Sequence, residues 1–194
     1  MYQLIIKRSM DLLVALILIM LLSPILIIVS LLIYKNMGRP ILFSQMRSGR
    51  LKRHFKIYKF RTMVSSSQGG SDADRITPLG IVLRRWSLDE LPQLLNVVKG
   101  DMSLIGPRPL LPEYDTHYSD EQNQRFLVKP GVTGLAQVKG RNDLQWGEKF
   151  ALDVEYVNNL SLLNDLKILW QTVFVVLGAK GFQDSGEEKK FSDL

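Results

Sequence analysis

Residues Leu12 to Tyr34 form a 23-residue run in which Ser23 and Ser30 are the only polar side chains apart from the Tyr34 hydroxyl. A run of that length constrains everything else, because a small soluble domain has no core large enough to cover it on all sides. At about 1.5 Å per residue a helix of this length reaches across a bilayer core. Two details argue against a plain span. Pro24 sits in the middle, where it deletes a helical hydrogen bond and bends the axis, and Ser23 before it can re-satisfy the freed backbone. Lys7 and Arg8 precede the run while Lys35 and Arg39 follow it. Cytoplasmic loops collect Lys and Arg, so the pattern predicts a re-entrant helix, broken at Ser23 and Pro24, with both ends on the cytoplasmic side. The competing reading is a kinked span with a short N-terminal tail. A cleaved signal peptide fits poorly, since the run is too long and lacks a small-residue cleavage site.

Cysteine is absent from the 194 residues and histidine occurs twice, at 54 and 117. Thiolate chemistry is therefore excluded and a zinc centre does not fit. Any metal would be held by carboxylate oxygen and substrate phosphates, which is the habit of magnesium. From Arg47 to Arg61 seven Lys or Arg residues occur with no acid among them. Most of these suit anionic phospholipid headgroups, at about 1 kcal/mol per basic residue near the surface. Lys59 is set apart by its place in the β-prone stretch FKIYKF, where a fixed backbone aims it inward at a phosphate. The aromatic residues of that stretch read as a half-buried strand, so no nucleic-acid partner is expected.

Phosphoryl chemistry is suggested by residues 84–114. Ser87 and Glu90 have the spacing of a capping box, which predicts a helix from Leu88. Leu88, Leu91, Leu95 and Val98 then form its buried stripe, Asp89 faces outward, and Gly100 turns left-handed past the end. Pro92 lies near the first turn, where its missing amide is tolerated, or marks the true start. Acidic residues there complement the helix dipole, so ordinary capping competes with a catalytic role for Asp89 and Glu90. Pro107 and Pro109 fix the backbone on both sides of Arg108, and a guanidinium so presented suits a pair of phosphate oxygens. A solvated arginine in a Pro-rich turn is its bland alternative.

Elsewhere the pattern is less specific. Residues 62–80 read as a mobile loop in which the Asp72 and Asp74 pair carries no strong metal signal. The stretch 129–142 reads as a turn, a strand through Leu135, Gln137 and Val138, and a second turn at Gly140. Its end, Arg141 and Asn142, offers a cation and an amide for a nucleotide diphosphate or a uracil edge, or simply a polar turn. Trp146, Phe150, Val154 and Val157 repeat as a helical stripe. Asp165 is placed to cap a last helix from about Leu166 to Ala179, and residues 183–194 read as a disordered tail. The expectation is an α+β, mainly helical chain with a short β element, divided into a membrane helix (1–38) and one small domain (39–182).

The stretch SLDELPQLLNVVKGDMSLIGPRPLLPEY resembles the signature of the small monotopic phosphoglycosyl transferases of bacteria, the PglC-like group. The likeness extends through FKIYKFRTM, KPGVTGLAQVKGRN and the region around 146–168, which together span most of the chain. It implies a cytoplasmic catalytic domain seated on the inner membrane. It also implies transfer of a sugar 1-phosphate from a UDP-sugar to polyprenyl phosphate, with UMP released. Asp89 is implied as the nucleophile that carries a covalent sugar phosphate, a plausible role because an acyl phosphate is reactive enough to pass the group on. Magnesium at Asp89 and Glu90 would offset charge repulsion, while Lys59, Arg84 and Arg108 stabilise the phosphoryl oxygens. For Glu90, metal binding, orientation and proton transfer all remain open. Similarity around 141–165 favours diacetylbacillosamine as the sugar, with N-acetylated hexosamines behind. Two other readings compete: direct attack by the lipid phosphate in a ternary complex, and a membrane-anchored binder of anionic lipid or nucleic acid.

Overall fold

A computed structural model describes residues 5–64, 72–140 and 143–178. The tail at 183–194, Arg141 and Asn142, and residues 65–71 of the expected loop lie outside these.

The apolar run lies within one helix, α1 (Lys7–Met37), which contains Pro24 and is long and apolar enough to cross a membrane. Proline at 24 leaves the Met20 carbonyl without its usual amide partner. Ser23 Oγ donates to that carbonyl at 2.8 Å, as the sequence predicts. Both ends of α1 grip the same domain. At the N-terminal end Lys7 Nζ meets Asp165 at 2.6 Å, and Asp11 accepts from the Leu104 amide at 3.2 Å. At the far end Val29 and Ile33 are buried with Phe60 and Leu83. Between them the helix presents Met20 and Leu21, 81% and 70% exposed, which is lipid-facing chemistry.

An antiparallel hairpin follows, β1 (Leu42–Ser48) with β2 (His54–Phe60), in a register that sets Phe43 opposite Lys59. The expected mobile loop (62–80) instead holds α2 (Asp72–Arg75) and the start of α3 (Pro78–Arg85). α3 is started by local chemistry that a reading of overall composition overlooks: Thr77 accepts from the Gly80 amide, and Pro78 occupies a first-turn position.

The next segment departs most from expectation. Ser87 adopts the left-handed conformation (φ 54°) and caps nothing with its side chain, so the capping box does not form. Leu88–Gln93 is a 3₁₀ turn, and only Leu94–Lys99 is α-helix, α4. A 3₁₀ turn advances about 20° more per residue than an α-helix, which over the turn rotates the face by about 120°. Leu94 and Val97 therefore enter the core while Leu95 is 43% exposed, and Asp89 is buried rather than outward. Gly100 does take the left-handed conformation past the helix end (φ 91°).

Two short parallel strands, β3 (Ser103–Ile105) and β4 (Gly131–Thr133), lock the second half. A Cβ on Gly131 would run into the Gly106 amide, so this close approach requires glycine. The strand expected at Leu135–Val138 is instead α5 (Leu135–Lys139), since the extended segment ends at Thr133. In α6 (Trp146–Asn158), Trp146, Phe150 and Val154 are buried as the stripe predicts. The last helix, α7 (Leu162–Leu177), begins earlier than expected and is capped by Ser161, whose side chain accepts from the Asn164 amide. Asp165 is instead occupied by Lys7 and by the Tyr156 hydroxyl at 2.8 Å. The architecture is mostly helical with a short β element in one small domain, as expected.

Candidate active site

Three elements converge on the 3₁₀ turn. β2 supplies Lys59, α3 supplies Arg84, the turn supplies Asp89 and Glu90, and the segment after β3 supplies Arg108. Glu90 Oε1 accepts from Lys59 Nζ at 2.7 Å and from Arg108 Nη1 at 3.1 Å. Burial would raise its pKa, but the charges and hydrogen bonds of Arg108 and Lys59 outweigh that and hold it well below the usual carboxylate range. Glu90 is therefore an ionised bridge between two cations.

Asp89 has the opposite environment. It is 8% exposed and has no hydrogen-bond or ion-pair partner among the described residues. Burial, reinforced by the negative charge of Glu90, pushes its carboxyl up to about 6, against the opposing pull of Lys59, Arg84 and Arg108. Arg84 is oriented by Thr62, whose hydroxyl accepts from Nε at 3.0 Å. Adjacent carboxylates pushed apart in this way make one an electrostatic organiser and leave the other available for chemistry.

The cations are held from behind by residues the sequence reading did not single out. Asn96, fully buried, accepts from the Tyr58 amide at 3.1 Å and donates to the Lys56 carbonyl at 2.7 Å, pinning the strand that aims Lys59. Arg125 Nη2 donates to the Arg108 carbonyl at 2.7 Å and to Asp153 Oδ2 at 2.8 Å. The Arg125 guanidinium also lies over the rings of Phe126, Phe150 and Tyr118, at 5.3, 5.4 and 5.6 Å from their centroids. This buried pair fixes the backbone of the Pro107-Arg108-Pro109 segment through the Arg108 carbonyl. No spacing rule marks Arg125 or Asp153, which meet across 28 residues. Gln93, three residues after Glu90 in the same 3₁₀ turn, is also buried, and its Nε2 has no partner among the described residues.

The site thus brings Lys59, Arg84, Asp89, Glu90 and Arg108 together, while Arg141 and Asn142 lie outside the described residues. Among the described residues no group of three or more acidic or imidazole ligands exists that could hold a metal alone.

The model of the family described as bacterial sugar transferase matches residues 2–179. The chain belongs to that family. This sugar transferase is 46% identical over 185 residues to the uncharacterized sugar transferase EpsL of Bacillus subtilis, covering 93% of this chain and 92% of that one. It is 42% identical over 183 residues to the UDP-glucose:undecaprenyl-phosphate glucose-1-phosphate transferase of Caulobacter vibrioides, covering 86% of this chain and 68% of the relative. It is 37% identical over 196 residues to the undecaprenyl-phosphate galactose phosphotransferase of Salmonella typhimurium, covering 90% of this chain but 41% of the relative. Family membership makes the chain an enzyme and agrees with the resemblance carried by its central motif. The long apolar helix is consistent with association of the transferase with a membrane.

Proposed function

We propose that this transferase moves a sugar 1-phosphate from a UDP-sugar to polyprenyl phosphate on the cytoplasmic face of the inner membrane. The product is a polyprenyl-diphospho-sugar, the first membrane-bound intermediate of glycoconjugate assembly. The observation that carries this reading is the buried Asp89, without a partner among the described residues, next to a Glu90 already claimed by Lys59 and Arg108.

In the first half-reaction an Asp89 carboxylate oxygen attacks the β-phosphorus of the UDP-sugar. The bond from that phosphorus to the bridging oxygen breaks, and UMP leaves with the oxygen and its electron pair. Lys59, Arg84 and Arg108 are already oriented when charge shifts onto the phosphoryl oxygens, so little reorganisation is needed. In the second half-reaction a phosphate oxygen of the lipid attacks the same phosphorus and the Asp89 carboxylate departs unchanged. Glu90 keeps the two cations in place through both steps. Two adjacent carboxylates completed by a substrate diphosphate fit magnesium, which when bound would offset the repulsion between Asp89 and the anionic donor.

The grip of one domain on both ends of α1 supports the re-entrant reading. A polar domain cannot follow a helix through hydrocarbon, and contacts at Lys7 and again at Ile33 favour a helix that enters and leaves by one leaflet. Lipid phosphate and soluble nucleotide sugar can then meet at the same turn.

The test is UMP release from UDP-sugar without lipid acceptor, with intact mass used to detect the sugar-phosphate adduct. UDP-diacetylbacillosamine, favoured by the sequence around 141–165, is assayed against UDP-glucose, UDP-galactose and N-acetylated UDP-hexosamines. UMP release and adduct should both vanish in Asp89→Asn. Release that waits for the lipid would replace the covalent route by direct transfer.

A further inference from the structure

A cavity of about 510 Å³ lies between the middle of α1 and the segment that carries the two carboxylates. Ile19 and Leu26 of α1, Phe60 of β2, and Leu91, Pro92 and Leu95 after Glu90 form its walls, and only Ser30 and Arg39 among its lining residues have polar side chains. Ser30 Oγ donates to the Leu26 carbonyl at 2.7 Å, which leaves Arg39 as the polar group turned to other use. The volume falls within the roughly 300–1,000 Å³ of small-molecule sites. Leu42 and Leu95 in the wall remain 40% and 43% exposed, so apolar surface stands there without cover.

Its position relates it to the chemistry. Pro92 follows Asp89 by three residues, about 6 Å along a 3₁₀ axis. The Arg39 backbone is held by Arg61, whose Nη1 donates to its carbonyl at 3.2 Å, and the residue itself is exposed. No partner for the Arg39 guanidinium is found among the described residues. An aliphatic slot next to the catalytic turn with one cation at its rim complements a long hydrocarbon ending in a phosphate. We infer that this cavity receives the first isoprene units of the lipid acceptor, with Arg39 drawing the acceptor phosphate toward the catalytic turn. This rests on the proposed transfer to polyprenyl phosphate and adds the path by which that substrate reaches the site.

The experiment uses the full chain in nanodiscs, in the Asp89→Asn background so that binding is read without turnover. The probe is a polyprenyl phosphate bearing a photoreactive diazirine on the isoprene unit nearest the phosphate, and labelled peptides are located by mass spectrometry. Labels are expected on the segments holding Ile19–Leu26 and Leu91–Leu95, and unlabelled undecaprenyl phosphate should displace the probe while phosphatidylglycerol does not. Leu95→Trp fills the slot at a half-exposed position the fold tolerates, and Arg39→Glu reverses the cation. Each should weaken labelling about tenfold, the effect of losing one charge-assisted or well-packed contact. Labels absent from the Leu91–Leu95 segment, or confined to the exposed Trp170 and Phe174 of α7, would overturn the inference, as would equal displacement by phosphatidylglycerol. UMP release by the unmutated enzyme without acceptor is measured in parallel. Its absence with labelling intact would reject the covalent route and leave the acceptor site standing.

Discussion

Asp89→Asn should abolish the half-reaction and at the same time stabilise the protein at alkaline pH. Burial and the Glu90 charge raise the Asp89 pKa from 3.8 to about 6. A carboxyl whose folded pKa lies above its unfolded value contributes full stability below about 3.8, and that stability is lost as pH rises through about 6. At pH 8 the ionised group costs roughly 3 kcal/mol, from 2.2 pKa units at about 1.36 kcal/mol each, and the residue is buried enough that solvent screening takes little of it. Asparagine keeps the shape and removes the charge, so the variant should melt about 6–12 °C higher at pH 8 for a chain of this size. Near pH 4 the gain should shrink to below about 1 kcal/mol, because the wild-type carboxyl is then protonated in the fold and half protonated outside it. Thermal unfolding in detergent with EDTA, at pH 4 and pH 8, reads both values. An Asn variant no more stable than wild type at pH 8 would refute the claim that a buried, ionised Asp89 is held against its preference. Persistence of the adduct in that variant would remove Asp89 as nucleophile.

Arg108→Lys keeps the charge but loses the planar fork, and UMP release should fall about 10²–10³-fold, the usual effect of removing one preorganised donor. Near-normal turnover would reduce Arg108 to a structural turn residue. Arg125→Ala leaves Asp153 buried without its partner, so a loss of about 3–5 kcal/mol by thermal unfolding is expected. Asp153→Asn combined with Arg125→Met should recover most of the stability but not the rate, since the Arg108 backbone stays unanchored. Full recovery of rate would end the positioning role. For α1, Ile5→Cys in this cysteine-free chain should stay protected from a membrane-impermeant thiol reagent in intact cells, and become labelled when Pro24→Ala straightens the helix. Labelling in the unmutated helix would replace the re-entrant anchor by a span.

Local covalent rules made part of this protein legible in its sequence. A proline four residues after Met20 must orphan that carbonyl, and a serine beside it can only bond nearby, so Ser23 takes up the carbonyl that Pro24 frees while the helix continues through both residues. Lys59 is inward because strand alternation settles its side, and Gly100 is left-handed because little else ends a helix so cheaply. Composition alone ruled out thiolate chemistry. The tertiary structure decided what depends on distant partners. Lys7 and Asp165 meet across 158 residues, so a carboxylate that looks like a cap becomes an anchor for the membrane helix. Ser87 and Glu90 had capping-box spacing, but Glu90 gains more from two cations supplied by β2 and the Pro107-Arg108-Pro109 segment than from its own helix start. That contest turned the first turn into a 3₁₀ segment, rotated the leucine stripe and buried Asp89, which set its pKa. Periodicity assumes one helical geometry throughout and carries no information on charges brought from elsewhere in the chain, so neither outcome could be read before the fold was known.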